Sequence, residues 1–93
     1  MRISKKTLES ATQRKMIVQL EKWGWMVNKV INCSNPGWPD LECYRNKIAV
    51  FIEVKREGET AKELQQYRHK QLREQGFEVI SEATSLSDIV HLR

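Results

Sequence analysis

The sequence predicts an α/β domain in which a mixed central β-sheet is flanked by helices, in the order α-β-β-β-α-β-α. Near the start of the chain and again after residue 60, apolar residues recur at three- and four-residue steps, as on one face of a helix. A continuous apolar run at 48–52 is typical of a strand buried on both faces. The 93 residues suffice for one small domain and not for two, so we expect 1–93 to form a single unit.

The first helix is predicted from about Lys5 to Trp23. Ser4 is the expected N-cap, and Gly24 stands where helices commonly end. The following stretch, 25–32 (WMVNKVIN), is rich in β-branched and aromatic residues and predicts a strand. The apolar stripe of the helix comprises Leu8, Ala11 or Thr12, Met16, Leu20 and Trp23.

Two further strands are predicted to form a hairpin. Residues 41–44 are a short strand, the polar residues 45–47 are the turn, and 47–55 (KIAVFIEVK) is the central strand.

A second helix is predicted from about Ala61 to Gln75, because Thr60 and Glu63 match the T-x-x-E capping box. Its inward side is expected to carry Leu64, Tyr67 or Arg68, Gln71 and Leu72.

The chain from Gly76 onwards is predicted to complete the sheet. Residues 77–81 (FEVIS) are a strand parallel to 47–55, because a right-handed crossover through the second helix joins the two. Ser85 and Asp88 mark a short final helix.

Composition limits the function classes. The 16 basic and 12 acidic residues give a net charge of +4, which fits a nucleic-acid partner. Cys33 and Cys43 are too few for a disulfide framework and lack metal-finger spacing, so we expect two half-buried thiols in a reducing compartment. No signal-peptide run and no stretch of about 18 apolar residues occurs, so we expect a cytoplasmic protein without a membrane partner.

Charged residues end the apolar central strand. Glu53 and Lys55 point to one face and Val54 to the other. The hairpin would return Asp40 to the same end of the sheet. A Glu-x-Lys ion pair or a Pro-Asp turn is usually structural when it occurs alone, but the combination favours a functional site.

Two neighbouring carboxylates suit a hard divalent cation such as Mg²⁺ or Mn²⁺. Such a cation polarises a phosphoryl oxygen and lowers the pKa of a bound water, and a lysine offsets the charge that develops at phosphorus. Asp40, Glu53 and Lys55 together therefore predict a phosphodiesterase centre.

These residues resemble a known family. G-W-P-D at 37–40, E-V-K at 53–55, a helix bearing Gln65 and G-F-E-V at 76–79 resemble the PD-(D/E)xK nuclease superfamily, and within it the VRR-NUC branch. The resemblance covers roughly 7–92. It implies a restriction-endonuclease-like core and a metal-dependent DNA endonuclease.

The resemblance also implies roles for individual residues. Asp40 and Glu53 would be metal ligands, with the Val54 backbone carbonyl as the third, and Lys55 would be the catalytic lysine. Glu9 stands fifteen residues before Gly24, as the family's helix glutamate does, and would hold the metal through water.

The family's glutamine falls best on Gln65. Gln66 is the alternative, and Gln13 could also face the site from the first helix. Arg68 stands where the family often has a long aromatic residue.

DNA contacts are predicted from the basic residues, among which Arg56 is the expected phosphate clamp. Trp38 could stack on a base or pack under its loop, and both readings stay open. We read His69 and His91 as surface or edge residues. The predicted DNA-binding set is Arg56, Lys62, Arg68, Trp38 and Lys6.

Analogy with family members of this size implies a homodimer that cuts branched DNA, such as a Holliday junction or a flap, in preference to plain duplex. Two alternatives remain at this point. One is a non-catalytic DNA-binding module on the same fold, and the other is an interaction protein whose Glu53–Lys55 pair is structural. The sequence names no helicase or repair partner.

Overall fold

The computed structural model describes residues 5–93, with side chains from residue 8 onwards. Ser4 and the side chain of Lys6 lie outside the described residues. No described helix is long and apolar enough to cross a membrane. The elements are α1 (Lys5–Lys22), β1 (Met26–Lys29), β2 (Leu41–Arg45), β3 (Ile48–Val54), α2 (Glu63–Glu74), β4 (Glu78–Ala83) and a C-terminal 3₁₀ helix (Leu86–Leu92).

The four strands form one sheet in the order β1-β2-β3-β4. β1, β2 and β3 are antiparallel neighbours, and β3 and β4 are parallel, so the predicted mixed sheet is confirmed. The β2–β3 hairpin turns on Asn46 and Lys47, whose φ angles of 50° and 66° are left-handed. Two such residues in succession match the twist of the flanking strands.

The two sides of the sheet are covered differently. On one side α1 and the 3₁₀ helix enclose the larger core, while on the other α2 covers a small cluster formed by Phe51, Leu72 and Val79. β3 is buried on both sides from Val50 to Val54, as its apolar run predicted. The larger core includes Met16, Leu20, Trp25, Leu41, Cys43, Val50, Ile52, Val54, Ile89 and Leu92.

The inward face of α1 differs from the predicted stripe. Met16 and Leu20 are buried as expected, but Leu8 and Ala11 are exposed. The inward face instead continues through Gln13, which is buried, and Glu9, which is half-buried. These positions recur at three- and four-residue steps, so the face is helical in period but polar near its N-terminal end.

α2 requires two corrections. Its N-cap is Lys62, not Thr60, because the amide of Ala61 donates to Glu82 Oε2 (2.7 Å) and the preceding segment stays extended. Its inward face consists of Gln65, Arg68, His69 and Leu72, whereas the predicted inward residues Leu64, Tyr67 and Gln71 are exposed. As in α1, polar residues occupy part of the inward face.

Candidate active site

Asp40 is fixed by the backbone on two sides. Its Oδ2 accepts a hydrogen bond from the amide of Val54 (2.9 Å), and its carbonyl accepts one from the amide of Val30 (2.8 Å). Leu41 pairs with Ile52, so Asp40 stands beside Glu53 at the end of the hairpin. The turn before Asp40 thus delivers the carboxylate to the end of β3, as the sequence predicted.

Glu53 is buried and faces three polar side chains. Its Oε2 lies 3.6 Å from Lys55 Nζ and 3.4 Å from Gln65 Nε2. Its Oε1 lies 3.7 Å from His69 Nε2. Lys55 is itself 8% exposed, so its ammonium is held in the protein rather than in bulk water.

The electrostatics of the site centre on Asp40. Burial raises the pKa of Asp40 to about 7, and the negative charge of Glu53 adds to the rise. The hydrogen bond from the Val54 amide and the positive charge of Lys55 lower this pKa, but by less. The neighbouring carboxyl groups of Asp40 and Glu53 favour a shared proton or a cation between them.

Gln65 joins the first turn of α2 to the site. Its Oε1 accepts the amide hydrogen of Lys62 (2.8 Å), so its Nε2 points toward Glu53. The backbone cap therefore decides which end of this amide faces the carboxylate. Gln66, the alternative from sequence, instead donates to the carbonyl of Ala61 (2.7 Å) and does not face the site.

The prediction that His69 is a surface or edge residue is wrong. The side chain is completely buried on the inward face of α2, next to Glu53. The residue spacing could have indicated this burial, because His69 lies four residues after Gln65 and three before Leu72, on the same helix face. His91 is exposed and pairs with Glu78, in agreement with its predicted position.

A cleft of ≈ 370 Å³ lies between α1 and the end of β1. Val30 lines this cleft, and its amide donates a hydrogen bond to the carbonyl of Asp40. The cleft therefore adjoins the site. Among the described residues, no hydrogen bond or ion pair joins Glu9 to Asp40 or Glu53. The lining residues are Glu9, Ser10, Gln13, Lys29, Val30 and Ile31.

The donor set fits a hard cation. Asp40 and Glu53 supply adjacent carboxylates, and Oε1 of Glu53 is buried without a hydrogen-bond partner. Within residues 5–93, no group of three or more His, Cys, Asp or Glu side chains is arranged to hold a metal ion. Further ligands would therefore come from a backbone carbonyl, such as that of Val54, or from water.

The predicted DNA-binding residues fall into two groups. Arg56 and Lys62 are exposed, although Arg56 Nε lies 3.4 Å from Glu59. Arg68 donates from Nε to the carbonyl of Pro36 (2.9 Å), which ties α2 to the loop before Asp40.

Trp38 packs beneath its loop. Its Nε1 donates to Glu42 Oε2 (2.8 Å), and its ring meets Phe51 edge-on at 5.9 Å. These contacts support the packing alternative and leave no free indole N–H for a nucleic acid.

Comparison with solved structures identifies the fold. A structure described as a VRR_NUC domain covers 91% of this chain and 92% of its own length, with a TM-score of 0.79 and 25% identity. A second, described as a VRR_NUC domain protein, covers 99% and 86% respectively, with a TM-score of 0.58 and 14% identity, a likeness of fold alone. A scan of family models and a search of curated proteins find no match. The predicted resemblance to VRR-NUC domains and the restriction-endonuclease-like fold are confirmed.

Proposed function

We propose that this chain, which has the fold of a VRR_NUC domain, is a Mg²⁺- or Mn²⁺-dependent DNA endonuclease that hydrolyses phosphodiester bonds. One observation carries the proposal. Asp40, just before β2, and Glu53, on β3, converge at one end of the sheet, with the buried ammonium of Lys55 beside them. Glu53 and Lys55 are buried and Asp40 is half-buried. Holding these charged groups together away from water costs free energy, and such arrangements concentrate at functional sites.

The residues divide the chemistry between them. A divalent cation bound by Asp40, Glu53 and the Val54 carbonyl would polarise a phosphoryl oxygen and activate a water. Lys55 orients the attacking water and offsets the negative charge that grows on the phosphoryl group. Gln65 restrains the Glu53 carboxylate, and Glu9, from the adjoining cleft, reaches the centre through water.

The charge of the chain supports the proposed DNA binding. The net charge of +4 and the exposed Arg56 and Lys62 favour contact with phosphates on either side of the cut. Of the other residues predicted to bind DNA, Arg68 and Trp38 support the loop that carries Asp40, and Lys6 remains a proposed contact.

The proposal extends to a homodimer acting on branched DNA. β1 is an edge strand that pairs, within the described residues, only with β2, and its Met26 is 68% exposed, so a second copy could pair with its outer edge. The preference for a Holliday junction or a flap rests on analogy with the fold family. Light scattering on the purified protein measures the oligomeric state directly.

A cleavage assay tests the proposed activity. Labelled four-way junction, flap and linear duplex are incubated with Mg²⁺, Mn²⁺ or EDTA. Asp40→Asn keeps an acceptor for the Val54 amide but removes the charge, and Lys55→Met removes the ammonium. We expect metal-dependent cutting by the wild type, a loss of about 10²-fold or more in both variants, and unchanged cutting by the exposed control Glu57→Gln.

A non-catalytic DNA-binding module on the same fold is the second candidate. It is favoured by the lack, within residues 5–93, of a third acidic or histidine side chain completing the metal site. Salt-sensitive DNA binding without cutting under any metal would support this candidate and overturn the nuclease. If the protein neither binds nor cuts DNA, both candidates fail.

A further inference from the structure

The imidazole of His69 is an unusual buried group. The side chain is 0% exposed, and neither ring nitrogen has a hydrogen-bond partner among the described residues. Buried polar atoms are nearly always paired, so each exception calls for an explanation. A leucine at this inward position would fill space without leaving two polar atoms unpaired.

The carboxylate of Glu53 supplies that explanation. Nε2 of His69 lies 3.7 Å from Oε1 of Glu53, and Oε1 is also buried and unpaired. An ordinary N–H···O bond is about 3.0 Å long, so a movement of about 0.7 Å would join the two atoms. The other oxygen of Glu53 already faces Lys55 and Gln65.

We propose that His69 is a positioning residue, whose Nε2–H donates to Oε1 of Glu53 and fixes the plane of that carboxylate. The inference rests on the proposed function, in which Glu53 is a metal ligand. A carboxylate has about four lone-pair positions. Lys55 and Gln65 face one oxygen of Glu53 and His69 faces the other, so one position stays open for a cation. Groups that orient a ligand in this way tune metal affinity without touching the metal.

The first test measures Mn²⁺ affinity by calorimetry in the wild type, His69→Leu and His69→Gln. Leucine fills the space, whereas glutamine also carries an N–H that can reach Glu53. We expect His69→Leu to melt at or above the wild-type temperature without metal and yet to bind Mn²⁺ about 10–100-fold more weakly. His69→Gln should recover most of that affinity.

Two outcomes of this test overturn the inference. One is unchanged Mn²⁺ affinity in His69→Leu. The other is an equal loss of affinity in both variants together with a lower melting temperature, which would make His69 a packing residue only.

A second test needs no metal. Nitrogen-15 NMR of the histidine side chains reports which ring nitrogen carries the proton and whether it is hydrogen-bonded. We expect a protonated Nε2 in His69 whose signal moves in Glu53→Gln, while the signal of the exposed His91 does not. An unprotonated Nε2, or a signal indifferent to Glu53→Gln, overturns the inference.

The two proposals fail separately. If the wild type binds no Mn²⁺ and cuts no DNA, the nuclease proposal fails, and NMR still decides whether His69 donates to Glu53. If Mn²⁺ binding depends on Asp40 and Glu53 but His69 makes no bond to Glu53, only the present inference fails.

Discussion

Asp40 Oδ2 lies 2.9 Å from the backbone nitrogen of Val54 and accepts its hydrogen. The carboxylate thus takes the place of a backbone acceptor just before Leu41, the first residue of β2. The contact also anchors the acid one residue from Glu53 and one from Lys55. The position of the candidate site is therefore set by the register of the hairpin.

Asp40 should make the stability of the metal-free protein depend on pH. Its pKa is raised from 3.8 to about 7, so the folded state holds a proton that the unfolded state releases above pH 4. The resulting stabilisation is full below about pH 4 and is lost as pH rises through 7.

Thermal melts from pH 4 to 8 with EDTA measure this effect. Asp40→Asn is neutral throughout and serves as the reference that cancels the titrating groups that do not interact with Asp40. We expect the wild type to lose stability relative to Asp40→Asn as pH rises. If the melting temperatures of the two proteins changed with pH in parallel, the raised pKa of Asp40 would be contradicted.

Gln65 should affect both stability and activity, because one end of its amide caps α2 and the other faces Glu53. Gln65→Ala is expected to lose about 1 kcal/mol of unfolding free energy and part of the activity. Gln65→Glu keeps a cap acceptor but sets a carboxylate against Glu53, so it should retain the cap and lose activity. Urea denaturation and DNA cleavage measure the two effects.

The exposed Gln75→Ala is the control for Gln65 and should change neither quantity. If Gln65→Glu cuts DNA at the wild-type rate, the amide Nε2 of Gln65 has no part in the site.

Gly37 and Gly58 form a matched pair. Both have a φ of 86°, but a Cβ on Gly37 would lie 2.8 Å from the carbonyl oxygen of Leu64, whereas one on Gly58 would meet nothing within 4 Å. Gly58→Ala is expected to lower the free energy of unfolding by about 1–2 kcal/mol, because alanine is strained in this left-handed backbone conformation. Gly37→Ala should lower it by about 1–3 kcal/mol more, because its Cβ also clashes with the carbonyl of Leu64.

Urea denaturation of both alanine variants gives the difference. Gly37→Ala should also reduce DNA cleavage, since its loop leads directly to Asp40. Equal costs at the two glycines would show that the loop and α2 are not packed as described.

The two cysteines should react at different rates. Cys33 is exposed, whereas burial raises the pKa of the Cys43 thiol to about 12, with a smaller contribution from the charge of Glu42. The thiolate is the reactive form, so Cys43 should be inert in the native state. A thiol-reactive dye at pH 8 should label one group in the native protein and two in denaturant.

The variant Cys33→Ser is the control and should show no fast labelling when native. Rapid labelling of two thiols in the native wild type would contradict the burial of Cys43.

Much of the fold could be predicted from the sequence because its signals are local. The apolar run of β3, the glycines after both long helices and the short hairpin turn each act over a few residues. Glu53 and Lys55 were paired in the same way, because strand alternation fixes which side chains share a face. Asp40 followed from the hairpin, whereas Gln65 came only from the resemblance to the nuclease family.

Other features depended on which helix face meets the sheet. Sequence patterns search for apolar stripes, but α1 and α2 also turn polar residues inward. Glu9 and Gln13 do so on α1, and Gln65 and His69 do so on α2, next to Glu53. The stripe was therefore misread at Leu8 and Leu64. The N-cap of α2 likewise moved because Glu82, on β4, holds the preceding segment extended.

The sequence by itself thus determined the order of the elements, the sheet end that carries charge and the residues that converge there. Only the tertiary structure decided that His69 lies against Glu53, that Arg68 and Trp38 support the Asp40 loop, and that the pKa of Asp40 is raised. The physical reason is that burial and pairing depend on contacts between elements far apart in the chain. Residue spacing describes only one element at a time.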